Sequence, residues 1–443
     1  MRIFIRAKKK AEYNNGMLDI KYIREHALEV KKNGLSRQSG VDIDELLRVD
    51  EEHRTLRTDV EGFRKQRNDI ANDMRTAAAE RRDGLITKGK ELKRLLAVKE
   101  AELAEVEARW MTMLVQVPNL THPDTPIGAS DHENAEIRVW GEKRDIKNPK
   151  NHVEIADEHD LIDWERGAKV AGNKFYYLKG KLMILEQALI RFALDEVMNH
   201  GFIPMTTPDL ARDEIISGAG FSPRGAESQI YSIENHDLSL IGTSEIALAG
   251  YHEGETLSER DLPLRYAGFS HCYRTEAGTY GRESYGLYRV HQFSKVEMFV
   301  FSTPAQSEAM LHEIVRIEEG ILRKLGLPYR VVDCCTADLS APAYRKFDIE
   351  VWLPGKDAGE GARGAYGEIT SASNCTDYQA RRLGIKLKGG DGKATLCHTL
   401  NGTALPTSRA MVAILENYQE PDGSVSVPQA LVPYCGFGRV NGS

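Results

Sequence analysis

Two heptad seams, one close behind the other, constrain this chain more than any other feature. Leu46, Val49, His53, Leu56, Val60, Phe63, Arg67, Ile70 and Met74 recur at alternating spacings of three and four. Leu92, Leu96, Lys99, Leu103, Val106, Trp110, Met113 and Val117 do the same, and Pro118 stops the run. Side chains at that period line one stripe of a helix and pack as a coiled coil. The polar stretch Arg81-Arg82-Asp83-Gly84 predicts a turn between the helices, with its tip near residues 80–86. The expected structure is an antiparallel hairpin of about 35 residues per helix, about 50 Å long. Arg67 and Lys99 fall on seam positions, where they fix register at a cost in stability.

Two helices bury only one narrow seam, so the hairpin is expected to project into solvent. Basic residues thicken toward its tip (Arg64, Arg75, Arg81, Arg82, Lys88), while Glu100, Glu102, Glu105 and Glu107 sit toward the base. Most charged helix faces are simply solvated and laced with i,i+4 pairs. A basic tip also attracts phosphates. The chain total of 59 Lys+Arg against 66 Asp+Glu, net −7, excludes a uniformly basic surface but not a local patch.

At 443 residues, 41% of them apolar, the chain can bury a sizeable core in two domains. No run of about 20 apolar residues occurs, so no membrane span is expected. The six cysteines include no CxxC pair, and no HExxH is present. We read them as reduced thiols of a cytoplasmic protein, with no structural zinc. Residues 1–16 are basic, without the apolar stretch of a signal peptide. They read as a leader or a misassigned start, with Met17 as the natural beginning.

Residues 118–150 read as a connector that opens with Pro118, Pro123 and Pro126 and has little periodicity. Beyond it, helical patterns at 182–200 and 408–418 flank short strand-like runs at 238–241, 264–270, 296–301 and 347–352. Strands without regular βαβ alternation predict an α+β fold built on an antiparallel sheet. No GxGxxG opens a helix after a strand, and no GxxxxGK[ST] occurs, so Rossmann and P-loop readings drop out.

Three segments carry chemistry. The first is a long helix followed by the extended stretch 201–210. The second runs from Arg274-Thr275-Glu276-Ala277-Gly278 through a glycine-punctuated loop to Arg289, His291 and Glu297. The third is His398-Thr-Leu-Asn401-Gly402-Thr403, with Arg409 opening a helix. In this order they resemble the three signature motifs of class II aminoacyl-tRNA synthetases. With Gly242-Thr243-Ser244-Glu245, Glu368-Ile369-Thr370-Ser371 and Ser373-Asn-Cys-Thr-Asp377, the resemblance narrows to the seryl-tRNA synthetase family, from Met17 to about Phe437.

The resemblance implies a helical tRNA-binding arm domain at 17–125 and a catalytic domain at 126–443. It implies ATP-dependent activation of L-serine to seryl-adenylate and transfer to the 3′ end of serine tRNA, and of selenocysteine tRNA where present. It names Arg274, Glu368 and Arg409 as catalytic. It assigns ATP to Arg274, Thr275, Glu276, Arg289, Val290, Glu368, Ile369, Thr370, Ser371 and Arg409. Serine falls to Thr243, Ser244, Glu245, Arg274, Glu297 and Thr403, and Mg²⁺ to Glu368 and Ser371. The arm, through Arg64, Arg75, Arg81, Arg82 and Lys88, would reach across a homodimer to the long variable arm of the tRNA. Neither membrane nor DNA is implied as a partner.

The residue types suit that chemistry. A carboxylate attacking phosphorus needs no strong base, only positioning and charge neutralisation, for which the planar guanidinium is well shaped. Three departures stand out: Pro406 just before Arg409, Ala372 where the family often has cysteine, and the glycine-rich stretch 357–367, which reads as a flexible loop. Three readings stay open: a housekeeping enzyme, a divergent copy tolerant of a seryl-adenylate mimic, and a non-catalytic or carrier-protein-acylating relative.

Overall fold

The computed structural model describes residues 18–221, 229–277, 286–389, 392 and 394–440. The expected leader and Gly278 lie outside the described residues. The chain divides into two compact units, one spanning Gly16–Leu120 and the other continuing from Thr121.

In the first unit, α1 (Ile20–Glu25) and α2 (Ala27–Ser36) precede two long helices, α3 (Ile43–Thr76) and α4 (Ala79–Leu114). Asp42 caps α3, its side chain accepting from the amides of Asp44 and Glu45. The seam is antiparallel: His53 stacks on Trp110 with ring centroids 4.8 Å apart, and Arg64 pairs with Glu100 at 2.8 Å. Val49, Leu56 and Val106 form its buried centre. Ile23, Val30, Ile43, Leu46, Leu114 and Val117 close a separate core at the base. There the buried Asp50 accepts two bonds from Arg24, at 2.6 and 3.0 Å.

Two expectations for the hairpin are corrected. The turn is Ala77–Ala78, not residues 80–86, and Gly84 lies inside α4. Both alanines take extended angles open to any residue, so the turn needs no glycine. The Arg82 side chain donates to the Ala77 carbonyl at 3.2 Å, and the Arg81 amide bonds the Ala78 carbonyl at 3.0 Å. Arg67 is exposed rather than seated in the seam, and Lys99 swings out to Glu102 at 2.7 Å. The packed seam is thus interrupted at these positions, with Leu92 and Leu96 still buried nearer the tip, because long cationic stems reach water more cheaply than they bury. Arg64, Arg75, Arg81, Arg82 and Lys88 are all exposed.

The second unit is built on an eight-stranded sheet. In chain order the strands are β1 (Ala135–Trp140), β2 (Ile203–Thr206), β3 (Leu264–Tyr273), β4 (Gln292–Ser302), β5 (Tyr329–Asp333), β6 (Arg345–Gly359), β7 (Ala362–Thr376) and β8 (His398–Pro406). Their spatial order is β1-β5-β6-β7-β8-β4-β3-β2. Every neighbouring pair is antiparallel except β2 with β3. Helices α5 (Gly180–Met198), α7 (Ser307–Lys324) and α8 (Thr407–Asn417) pack with the sheet into one large apolar core. The short helix α6 (Ser244–Gly250) packs with β3 and β4 in a smaller one.

The presumed connector at 118–150 contains the edge strand β1. Its alternate residues are charged, and Arg138 grips Glu319 at 2.7 Å, which hid the strand from an apolar-run reading. The glycine-rich stretch 357–367 is not a loop but the end of the β6–β7 hairpin. Glu360 and Gly361 both take positive φ, +51° and +79°, the pairing a tight hairpin turn requires. Replacing the fully buried Leu46 by alanine should destabilise the first unit by about 2–5 kcal/mol, read as an earlier urea transition in the far-ultraviolet circular dichroism.

Candidate active site

Strand side chains alternate between faces, so only every second residue should face one cleft. Two bulges change that. In β7, Thr370 pairs with Ile349 and Glu368 with Glu350, leaving Ile369 as the extra residue. In β8, Thr403 pairs with Glu297 and Leu405 with Val296, leaving Ala404 extra. Each bulge shifts the alternation by one. Glu368, Ser371 and Ser373 therefore share a face, as do Asn401, Thr403 and Pro406. With Lys295 and Glu297 on β4 they floor a cleft of about 340 Å³. Thr243 and Glu245 enter from the start of α6. That helix lies close because position 268 is glycine: a Cβ there would come within 2.8 Å of Ser244 Oγ.

One end of the cleft is a buried acidic pocket. Glu297 pairs with Lys295 at 2.5 Å and accepts from the Thr403 hydroxyl at 3.1 Å. Glu245 Oε1 accepts from Gln379 at 2.7 Å and Asn401 at 2.9 Å. Burial pushes its pKa up to about 7, the nearby Glu297 adds to the rise, and the Gln379 amide, Lys295 and Arg274 oppose it. Lys295 balances Glu297, while Glu245 is held close to neutrality beside them.

The other end is cationic. Arg274 donates through Nε to the Gly242 carbonyl at 3.2 Å, with its guanidinium over Phe293. Arg289 pairs with Glu276 at 3.3 Å. Arg409, in the first turn of α8, reaches both the Glu368 carboxylate and its carbonyl at 3.1 Å. Its guanidinium lies over Tyr288, whose hydroxyl donates to the same carbonyl at 3.0 Å. Burial lowers the Arg409 pKa, but the Glu368 charge outweighs it and raises it overall. Pro406 does not disturb the helix entry: it occupies the N-cap position with extended angles, and the helix starts at Thr407. An N-cap amide has no helical partner, so nothing is lost with the proline N–H.

The cleft brings together Thr243, Glu245, Arg274, Glu276, Arg289, Val290, Glu297, Glu368, Ile369, Ser371, Thr403 and Arg409. Three residues named from sequence do not line it. The Ser244 hydroxyl is spent on the Gly268 carbonyl at 3.0 Å. Thr370 faces the other side of the sheet and donates to the buried Glu318 at 3.1 Å. Thr275 bonds through its amide to the Gln229 carbonyl at 3.0 Å. Lys295, Asn401, Tyr288 and Lys346 line the cleft without having been singled out. Lys295 and Asn401 follow from period-two spacing with Glu297 and Thr403, whereas Lys346 comes from a strand distant in sequence. Lys346 sits at 3.2 Å from Asp338 and 3.1 Å from Asp348. Those two carboxylates cluster with Cys334, and the ammonium between them supplies the balancing charge.

The raised Glu245 pKa has a signed consequence. A carboxyl held protonated in the fold stabilises it below the ordinary value of 4.5, and that contribution is lost as pH rises to about 7. Glu245→Gln should therefore gain roughly 3 kcal/mol over the parent on going from pH 4.5 to 8, read from paired thermal unfolding curves. An equal offset at both pH values would contradict the assignment.

The family model for the seryl-tRNA synthetase N-terminal domain matches residues 17–121, and that for the class II tRNA synthetase core domain (G, H, P, S and T) matches residues 229–418. The chain is 49% identical to the serine–tRNA ligase of Treponema denticola, covering 96% of this chain and 100% of that one. It is 52% identical to the serine–tRNA ligase of Rubrobacter xylanophilus, covering 95% and 98%. The crystal structure of seryl-tRNA synthetase from Pyrococcus horikoshii complexed with ATP superposes with a TM-score of 0.84, at 41% identity over 96% of this chain and 100% of that one. With a polar, bulge-shaped cleft in the core and a coiled-coil hairpin before it, the chain belongs to the seryl-tRNA synthetase family of class II aminoacyl-tRNA synthetases.

Proposed function

We propose that the cleft activates L-serine with ATP and passes the seryl group to serine tRNA. The observation that carries this reading is the division of one cleft into an acidic pocket and a cationic end, with the Arg274 charge acting on both Glu245 and Glu368. A serine ammonium fits between Glu245 and Glu297 and would draw Glu245 into its ionised form. Its hydroxyl meets Glu297 and Thr403. A pocket that hydrogen-bonds a hydroxyl rejects alanine because its own polar groups would be left unpaired. The amino-acid carboxylate is then directed toward Arg274.

At the other end, Glu276 meets the adenine amino group, Arg289 stacks on the ring, Arg274 grips the α-phosphate and Arg409 takes the γ-phosphate. A carboxylate oxygen of serine attacks the α-phosphorus, the bond to the β-phosphate oxygen breaks, and pyrophosphate leaves. The terminal ribose hydroxyl of the tRNA then attacks the acyl carbon and AMP leaves. Fixed guanidinium groups stabilise the charge that develops at phosphorus without reorganising.

Mg²⁺ suits the hard oxygens present: the Glu368 carboxylate and the Ser371 hydroxyl on one face of β7. Asp348, paired directly across from Ser371, faces that hydroxyl and pairs with Lys346 at 3.1 Å. A bound Mg²⁺ would neutralise phosphate charge. Lys346 and Arg409 supply fixed positive charge on either side of Glu368.

The exposed basic residues at the hairpin tip, Arg75, Arg81, Arg82 and Lys88, fit the backbone of the long variable arm of serine tRNA. Duplex RNA is read through phosphates and riboses, which needs no aromatic platform. A homodimer in the cytoplasm completes the reading. No helix among the described residues is long and apolar enough to cross a membrane.

Glu297→Ala should reduce serine-dependent ATP–pyrophosphate exchange by two to three orders of magnitude, because it removes a buried charged contact to the serine ammonium and hydroxyl, worth about 2–5 kcal/mol. Near-normal exchange would sink the serine assignment. Deleting residues 55–108 should leave that exchange intact while serine tRNA charging drops to background. Joint loss of both activities would argue against a separable arm.

A further inference from the structure

Next to the cleft segment 286–289 lies a buried pair that none of the roles above uses. His152 and Glu416 are 5% and 1% exposed. Glu416 stands near the end of α8, the helix whose first turn carries Arg409. Its Oε1 accepts from the His152 amide at 3.1 Å and lies 2.9 Å from His152 Nδ1. Its Oε2 accepts from the Gly355 amide at 2.9 Å. On the other side of the imidazole, Nε2 lies 3.1 Å from the amide of Leu287. A backbone N–H can only donate, so Nε2 accepts and the ring proton sits on Nδ1, facing Glu416.

The contact is tight on the loop side as well. Gly286 takes φ +60°, and a Cβ there would fall within 2.1 Å of His152 Nε2. Leu287 is fully buried. The next two residues are Tyr288 and Arg289. Tyr288 accepts from Arg409 Nε through its carbonyl at 3.4 Å and donates to the Glu368 carbonyl at 3.0 Å. Arg289 reaches Glu276 at 3.3 Å. One imidazole thus ties the end of α8 to the segment that supplies the cationic end of the cleft.

We propose that His152, oriented by Glu416, is a positioning residue for nucleotide binding: its unprotonated Nε2 pins the Leu287 amide and so holds Tyr288 and Arg289 in register with Arg409. The proposal rests on reading that end of the cleft as the ATP site. It acts through Tyr288 and Arg289, which line the cleft, whereas His152 and Leu287 do not.

The test uses the full-length protein, with equilibrium binding of a fluorescent ATP analogue alongside ATP–pyrophosphate exchange. His152→Met keeps bulk but offers no comparable acceptor to the buried amide. The nucleotide Kd and the KM for ATP should both rise about tenfold, the scale of one stranded buried donor, with the KM for serine little changed. His152→Gln, whose side-chain carbonyl can take over the Leu287 bond, should recover most of the affinity. Gly286→Ala, which crowds the ring from the opposite side, should give the same nucleotide-selective loss and carries the test if His152→Met does not fold. Unchanged nucleotide affinity, a parallel rise in both KM values, or a Gln variant no better than Met would overturn the proposal. A parent protein that binds no nucleotide would instead overturn the reading of the cleft itself.

Discussion

The pleat of a β-strand sends successive side chains to opposite faces, and the chemistry of this sheet depends on breaking that alternation twice. Without the extra residue Ile369, Glu368 and Ser371 would lie on opposite sides of β7. Without Ala404, Thr403 and Pro406 would be separated in the same way. The bulges let short sequence motifs place three or four polar groups on one surface, while the other face stays apolar against α7 and α8. Thr370, one residue past the bulge, shows the cost. It points away from the cleft, where its partner is the fully buried Glu318.

Charge is distributed to match. The acidic pocket leaves Glu245 with a pKa of about 7, because burial disfavours its charged form and the nearby Glu297 adds to the rise. The cationic end is stable with Arg409 charged because Glu368 faces it at 3.1 Å. The two ends of the cleft thus differ in charge character, with Lys295 set against Glu297 at one and Glu368 against Arg409 at the other.

The helical unit answers to different physics. Its seam is apolar where the helices are anchored at the base and gives way to exposed cations toward the tip. The net charge of −7 conceals this, since it averages an exposed basic tip with acidic residues elsewhere. The turn was misread from sequence because a glycine next to charged residues looks like a breaker. Gly84 instead sits exposed in α4, with open space where a side chain would go.

Much of this protein was legible in the order of its residues. Heptad spacing is a local property, so the two long helices and their pairing could be read directly. The motif residues Arg274, Glu297, Glu368 and Arg409 announced themselves by type and order, and the antiparallel α+β class by short strands without alternating helices. Tertiary structure alone decided which of those residues face one another. A one-residue bulge reverses facing without any mark in composition, which is why Thr370 looked equivalent to neighbours that line the cleft; Ser244, at the start of α6, instead spends its hydroxyl on the Gly268 carbonyl. The charged edge strand β1 was invisible because its pairing partners, Arg330 and Glu319, lie far along the chain. The His152–Glu416–Leu287 link joins three distant segments for the same reason. Sequence records what each residue can do locally; cross-strand register and burial, set by the whole sheet, decide what it does.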